Sequence, residues 1–96
     1  MILALDYDKT YTEDPEMWQQ FITLAHKQNH TVMCVTLRHD FENGDMCKIL
    51  IDRVRVIYTG RQAKREFVKN LGVWIDVWID DTPDFIVGDF KILKEA

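Results

Sequence analysis

Cysteine, proline and glycine are all scarce in this sequence of 96 residues, which contains two cysteines, two prolines and four glycines. Cys34 and Cys47 belong to no CxxC pair, which argues against a cysteine-rich secreted framework. We expect free thiols in a reducing cytosol, and the sequence leaves a single disulfide open. No linker, low-complexity tract or second domain boundary is visible, so we predict one domain spanning residues 1–96.

Long apolar runs and an excess of basic residues are absent as well. No apolar run approaches membrane-spanning length, and no basic leader precedes the first strand-like segment. We therefore expect a cytoplasmic protein without a membrane partner. The formal net charge of -4 argues against broad attraction to nucleic acid, but local basic patches are compatible with it.

Short apolar segments alternate with helical patterns along the chain. Predicted strands cover residues 2–5, 31–36, 54–58 and about 76–79. Helices are predicted from Pro15 to Asn29, after Asn43 through Met46, Ile49 and Leu50, and from Thr59-Gly60 to Gly72. This alternation predicts an α/β fold, namely a three-layer Rossmann-like sandwich with a mainly parallel central sheet.

Polar residues lie at the end of three of the predicted strands or directly after it. Asp6 follows the first strand, Thr36 ends the second, and the Asp80-Asp81 pair follows the fourth. Parallel sheets bind ligands at the carboxyl ends of their strands. Clustered carboxylates repel one another unless a cation intervenes, and Mg²⁺ prefers such oxygen ligands. The sequence therefore predicts a magnesium site at this edge of the sheet.

The order of these motifs resembles the haloacid dehalogenase superfamily of phosphohydrolases. The segments that carry the resemblance are DYDKT (residues 6–10), Thr36, Lys64 in a later helix, and IDDTPD (residues 79–84). No insertion long enough for a folded cap follows Asp8 or precedes Lys64. We therefore expect a capless member with an open active site.

The resemblance implies a magnesium-dependent phosphomonoester hydrolase. Asp6 would be the nucleophile that forms an aspartyl-phosphate, and Asp8 the general acid and base. Thr36 and Lys64 would stabilise the transferred phosphoryl group. The remaining expected roles are metal binding by Asp6, Asp8, Asp80 and Asp81, and substrate or loop binding by Thr10 and Arg38. Which of Asp80 and Asp81 binds the metal directly stays open.

We expect the substrate to be a phosphorylated small molecule or a nucleic-acid end. Arg53, Arg55, Arg61 and Arg65 make one half of the chain locally basic, which weakly favours nucleotides, although an ordinary solvated surface explains them too. Lys9 stands where the family often has glycine. Oligomeric state is left open by the sequence.

Two other classes of protein compete with the phosphatase. A response-regulator receiver would place its acidic pair at the first strand and its phosphorylated aspartate at the third, whereas Tyr58 ends the third strand here. A noncatalytic module of the same fold, binding a phosphorylated or nucleotide ligand, remains an alternative.

The repeated VWIDVWID stretch (residues 73–80) makes the first residue of the fourth strand ambiguous. If the strand begins near Asp76, this residue lies at the end of the sheet opposite the site and has a structural or surface role. We expect Trp74 and Trp78 to be packing residues.

Overall fold

The computed structural model describes residues 1–88 of the chain. Its strands are β1 (Ile2–Leu5), β2 (Thr31–Thr36), β3 (Arg55–Tyr58) and β4 (Val77–Ile79). Its helices are α1 (Pro15–Lys27), α2 (Lys48–Arg53), α3 (Lys64–Asn70) and α4 (Asp84–Val87). Single 3₁₀ turns cover Tyr11–Glu13 and Asp40–Glu42.

The four strands form one sheet in the order β3-β2-β1-β4, and every neighbouring pair is parallel. Leu5 at the end of β1 pairs with Cys34 on one side and with Ile79 on the other. The predicted α/β class is confirmed. Because the strands run in one direction, the polar residues that follow β1, β2 and β4 share one edge of the sheet.

The core lies in two clusters to which β1 contributes alternate residues. Leu3 and Leu5 pack in one cluster with Ile22 of α1 and Leu50 of α2. Ala4 lies in the other cluster with Val68 of α3. Fully burying a leucine or isoleucine side chain stabilises a fold by roughly 1.5–3 kcal/mol, so both clusters fix the sheet against its helices.

Helix α1 begins where the sequence predicts, and it ends slightly earlier. The Asp14 side chain accepts a hydrogen bond from the Met17 amide at 3.2 Å, and Pro15 occupies the first turn. The prediction extended the helix to Asn29, but the helix stops at Lys27. Asn29 adopts a φ of 66°, a left-handed conformation that cannot continue the helix.

The prediction that Asn43 caps the second helix is wrong. Helix α2 begins at Lys48, and Asn43 instead ends the Asp40–Glu42 turn. Met46 is buried but precedes the helix. Arg38 holds this segment by donating to the Glu42 carbonyl and to Asp45, so residues 43–47 form a loop.

The tryptophans of the repeat differ from each other in burial. Trp78 packs against the second core cluster, as predicted. Trp74 is 65% exposed, so its prediction as a packing residue is wrong. It lies in the connection between α3 and β4, whose residues Val73 and Ile75 pack against the second core cluster. Asp76 accepts a hydrogen bond from the Ile2 amide at 2.7 Å, which confirms a structural role at the far end of the sheet.

Two further expectations concern thiols and membranes. Cys34 and Cys47 are both free, as predicted. Among residues 1–88, no helix combines the length and apolar character needed to cross a bilayer.

Candidate active site

The loop after β1 folds back on itself and brings Thr10 to Asp6. The Thr10 amide donates to the Tyr7 carbonyl and the Tyr11 amide donates to the Asp6 carbonyl. Lys9 makes this turn possible with a φ of 63°, a region that glycine adopts without strain. The exposed Lys9 therefore adopts a backbone conformation in which glycine is the commoner residue.

Asp6 is a buried carboxylate with side-chain partners on both of its oxygens. Thr10 Oγ1 lies 3.1 Å from Asp6 Oδ2, and Lys64 Nζ lies 2.7 Å from Asp6 Oδ1. The Asp6 amide donates to the Ile79 carbonyl, which joins the ends of β1 and β4. Hydrogen bonds of the backbone amide and of both carboxylate oxygens thus hold Asp6, the candidate nucleophile, in place.

Lys64 is the first residue of α3, and its side chain is almost completely buried. Its ammonium group also donates to Asp80 Oδ2 at 2.5 Å, so it bridges Asp6 and Asp80. A buried ammonium ion is costly unless carboxylates satisfy it. The fold therefore brings Lys64 into contact with Asp6 after β1 and with Asp80 after β4.

Asp81 completes a group of three carboxylates with Asp6 and Asp80. One carboxylate oxygen from each lies within 4.8 Å of the others. Thr10 Oγ1 lies 3.0 Å from Asp81 Oδ1 and accepts from the Asp81 amide at 3.2 Å. Since a hydroxyl carries one proton, Thr10 donates to only one of Asp6 and Asp81 at a time. The oxygen donors match the ligand preference of Mg²⁺.

The protonation of this group is uneven. Burial raises the pKa of Asp6 to about 7, although the charge of Lys64 acts in the opposite direction. Burial also raises the pKa of Asp81, but hydrogen bonds with Asp6, Thr10 and Thr82 outweigh it, and the net pKa of Asp81 is lowered. Below about pH 7 and without a metal ion, Asp6 is therefore protonated, and its proton reduces the repulsion between Asp6 and the neighbouring Asp81 carboxylate.

Arg38 connects the loop after β2 to Asp8. Its Nε and Nη2 atoms bind the two Asp8 oxygens at 2.8 and 2.7 Å, and its Nη1 atom binds Asp45 and the Glu42 carbonyl. The guanidinium carbon lies 5.1 Å from the centre of the Tyr7 ring. Hydrogen bonds to Asp8 and Asp45 raise the pKa of Arg38. Arg38 thus holds the candidate acid-base residue from one side.

The predicted site residues fall into two neighbouring sets at this edge. The first contains Asp6, Thr10, Lys64, Asp80 and Asp81, which contact one another directly.

The second set contains Asp8 and Arg38, whose side chains contact each other outside the carboxylate group. Thr36 is buried at the end of β2 and accepts from the Arg38 amide at 3.2 Å. Metal binding by Asp8 and substrate binding by Arg38 stay predictions. Asp84 lies outside the carboxylate group and begins α4.

The sequence did not indicate which residues hold the Arg38 side chain in place. Tyr7 lies within the quoted DYDKT segment, yet only the structure places its ring beneath the guanidinium group. Asp45 lies in a loop with no motif of its own. The sequence left two interpretations of Arg61 open, a role in phosphate binding or a place on an ordinary solvated surface. In the structure Arg61 pairs with Glu42 at 3.0 Å and donates to the Leu37 carbonyl.

No protein-family profile, curated protein or solved structure matched the chain. Its function is therefore inferred from its own residues and their geometry.

Proposed function

We propose that the chain is a magnesium-dependent phosphomonoester hydrolase of the haloacid dehalogenase type. In this proposal the fold is a capless three-layer Rossmann-like sandwich, and the enzyme works in the cytoplasm, where its free thiols stay reduced. The observation that carries the proposal is the buried Lys64 ammonium group between Asp6 and Asp80, with Asp81 beside them. Buried and perturbed ionisable groups of this kind concentrate at catalytic sites.

In the first step, a carboxylate oxygen of Asp6 attacks the phosphorus atom of a phosphomonoester. The bond from phosphorus to the ester oxygen breaks, and its electron pair leaves with that oxygen. Asp8 donates a proton to the departing oxygen, so the products are an alcohol and an aspartyl-phosphate on Asp6.

In the second step, the Asp8 carboxylate removes a proton from a water molecule that attacks the same phosphorus atom. The bond between phosphorus and Asp6 breaks, which releases inorganic phosphate and regenerates the Asp6 carboxylate. The Lys64 ammonium group stabilises charge on Asp6 and on the phosphoryl oxygens, while the Thr36 hydroxyl donates to one of those oxygens.

The metal requirement follows from the charge of the site. Asp6, Asp80 and Asp81 are the residues that would hold Mg²⁺, since their oxygens converge and one lysine does not neutralise three carboxylates. The bound ion would supply positive charge to the transferred phosphoryl group.

Because Arg38 binds Asp8, this ion pair has to open when the substrate binds before Asp8 can act. The bidentate ion pair with Arg38 engages both Asp8 oxygens, so neither is free to meet the leaving oxygen in the first step. We propose that the substrate phosphate competes for Arg38, so that Asp8 is free to protonate the leaving oxygen. Arg38 would then serve both as a positioning residue and as the predicted substrate-binding residue.

The test is phosphate release from nucleotides, phosphorylated oligonucleotides, sugar phosphates and phosphopeptides, measured with MgCl₂ and with EDTA. We expect the wild type to release phosphate only with MgCl₂, and Asp6→Asn to lower the rate at least about a thousandfold, as for loss of a nucleophile. The control is Asp52→Asn, because Asp52 is an exposed carboxylate of α2. Full activity of Asp6→Asn would contradict the covalent mechanism.

The alternative is a noncatalytic module that binds a phosphorylated or nucleotide ligand. The engagement of Asp8 by Arg38 favours it, because a module without turnover has no need of a free acid-base group. Saturable nucleotide binding without phosphate release from any compound in the panel would support this alternative.

A further inference from the structure

Arg38 uses different nitrogen atoms for its two aspartate partners. Its Nε and Nη2 atoms bind the oxygens of Asp8, whereas its Nη1 atom donates to Asp45 Oδ1 at 2.5 Å and to the Glu42 carbonyl at 2.8 Å. A guanidinium group carries five N–H donors in a rigid plane, so one edge can change its partner while the other edge keeps its own. A phosphate can therefore take the place of Asp8 without disturbing the contact between Arg38 and Asp45.

The pocket beside this ion pair has an excess of negative charge. Its volume is about 640 Å³. Its charged lining residues are three carboxylates and two arginines, namely Asp8, Glu42, Asp45, Arg38 and Arg61. Because the carboxylates outnumber the arginines, the pocket does not attract a phosphate by its net charge. Phosphate binding here therefore depends on hydrogen bonds from a guanidinium group that is already held in position.

Asp45 is exposed, but the chain next to it is anchored. Its neighbour Met46 is buried in the core, and the Cys47 amide donates to the Tyr7 hydroxyl at 2.9 Å. Tyr7 also contacts Arg38, whose guanidinium carbon lies 5.1 Å from the centre of the Tyr7 ring. Tyr7 thus holds both the Arg38 side chain and the backbone next to Asp45, which fixes their relative positions.

We propose that Asp45 is a positioning residue that keeps the Arg38 guanidinium group in place while a substrate phosphate replaces Asp8. The proposal rests on the proposed phosphatase function, in which the phosphate competes with Asp8 for Arg38. Without Asp45, the displacement of Asp8 leaves Arg38 with neither of the two carboxylates that bind it. A guanidinium group that is held in advance loses less side-chain entropy when it binds a phosphate. Asp45 acts through Arg38, so it affects substrate binding rather than the chemical step.

The oxygen of Asp45, rather than its charge, is the property that this role requires. The negative charge of Asp45 repels a phosphate that binds the same guanidinium group. Asp45→Asn keeps an oxygen that accepts from Arg38 Nη1 but removes the charge, and Asp45→Ala removes both. A positioning role therefore predicts that the asparagine variant resembles the wild type and that the alanine variant does not.

The test measures KM and kcat for p-nitrophenyl phosphate in MgCl₂ with the wild type and both variants. We expect Asp45→Ala to raise KM about fivefold, which is the scale of one lost hydrogen bond, and to change kcat less than about twofold. Asp45→Asn should keep KM within about twofold of the wild-type value. The matched control is Asp40→Ala, because Asp40 is another exposed aspartate between β2 and α2 but lines a different pocket. This control should leave both constants unchanged.

Three outcomes of these kinetics would overturn the positioning role while leaving the phosphatase function intact. The first is an unchanged or lower KM in Asp45→Ala. The second is an equal rise of KM in Asp45→Ala and Asp45→Asn, which would assign the effect to the charge. The third is a fall of kcat at unchanged KM, which would mark a role in the chemical step.

A binding measurement decides the proposal if the wild type releases no phosphate from this ester or from the panel above. The proposed function then fails, and inorganic phosphate is titrated in MgCl₂ while NMR follows the Nε–H signal of Arg38. Phosphate binding that is about fivefold weaker in Asp45→Ala than in the wild type and Asp45→Asn supports the positioning role. Equal binding by the three proteins overturns it. An Arg38 signal that does not respond to phosphate in the wild type overturns it as well.

Discussion

At the scale of single residues, Lys64 supplies the positive charge that allows Asp6 and Asp80 to lie close together. Its ammonium group is buried and contacts two carboxylates, and no other cation among residues 1–88 forms an ion pair with Asp6 or Asp80. Removing one member of a buried ion pair leaves the other member uncompensated. The lysine is therefore structural as well as catalytic in the proposed enzyme.

Lys64→Met should lower the free energy of unfolding by about 3 kcal/mol or more at pH 8 in EDTA, because Asp6 and Asp80 lose their buried counter-charge. The loss should be smaller at pH 5, which lies below the raised pKa of Asp6, because a protonated Asp6 needs no counter-charge. Urea unfolding at both pH values measures it.

The matched control is Lys69→Met, which removes an exposed lysine from the same helix. It should change the free energy of unfolding by no more than about 0.5 kcal/mol. Equal effects of the two substitutions at pH 8 would contradict the buried ion pairs of Lys64.

Asp6 should titrate far from the usual aspartate range when no metal is bound. Burial raises its pKa to about 7, so the folded state binds a proton that the unfolded state has released. On this account the contribution of Asp6 to stability falls as the pH rises from about 4 to about 7. Carbon-13 NMR of the carboxyl group should give a midpoint near 7 in EDTA and a lower one in MgCl₂. A midpoint near 4 in EDTA would contradict the buried state of Asp6.

At the scale of elements, the strands were easier to predict than the loops that carry the site. Short apolar segments located all four strands, and the pattern is clearest for β1 and β2, most of whose residues are buried. The loop at residues 37–47 has no such pattern. Its shape depends on Arg38 reaching across to Asp8, Asp45 and Glu42, and these contacts come from distant or unpatterned positions. The predicted helix start at Asn43 was wrong for this reason.

Gly60 should be the glycine least tolerant of substitution near the site. Its φ is 59°, and an added Cβ would meet the His39 ring at 2.8 Å. Gly60→Ala should lower the free energy of unfolding by about 2 kcal/mol or more, from left-handed strain and from displacement of His39. Thermal or urea unfolding checks this value.

Gly72→Ala provides the comparison for Gly60→Ala. Gly72 has a φ of 79°, but no atom lies within 4 Å of the added Cβ, so only the backbone strain of about 1 kcal/mol is expected. If both alanine variants lose the same stability, His39 does not pack against Gly60 as the structure places it.

At the scale of the whole molecule, the parallel sheet explains why distant motifs meet. Asp6 and Asp80 are separated by most of the described chain, yet β1 and β4 are neighbours and end at the same edge. The sequence predicted this convergence because strand direction alone decides it. It could not predict that Asp8 pairs with Arg38, since that contact depends on side-chain positions within loops. It also missed the exposure of Trp74, since the apolar repeat at residues 73–80 does not reveal which of its side chains face the core.

The most direct test of the central claim is detection of a phosphoryl group on Asp6. The experiment incubates Asp8→Asn with an aryl phosphate and MgCl₂, because an aryl leaving group departs without an acid while loss of the base slows hydrolysis of the intermediate. Acid quenching and peptide mass spectrometry then locate the phosphoryl group. The account predicts phosphorylated Asp6 in Asp8→Asn and none in the double variant that also carries Asp6→Asn. Phosphate release by the wild type, together with an unmodified Asp6 in Asp8→Asn and full activity of Asp6→Asn, would contradict it.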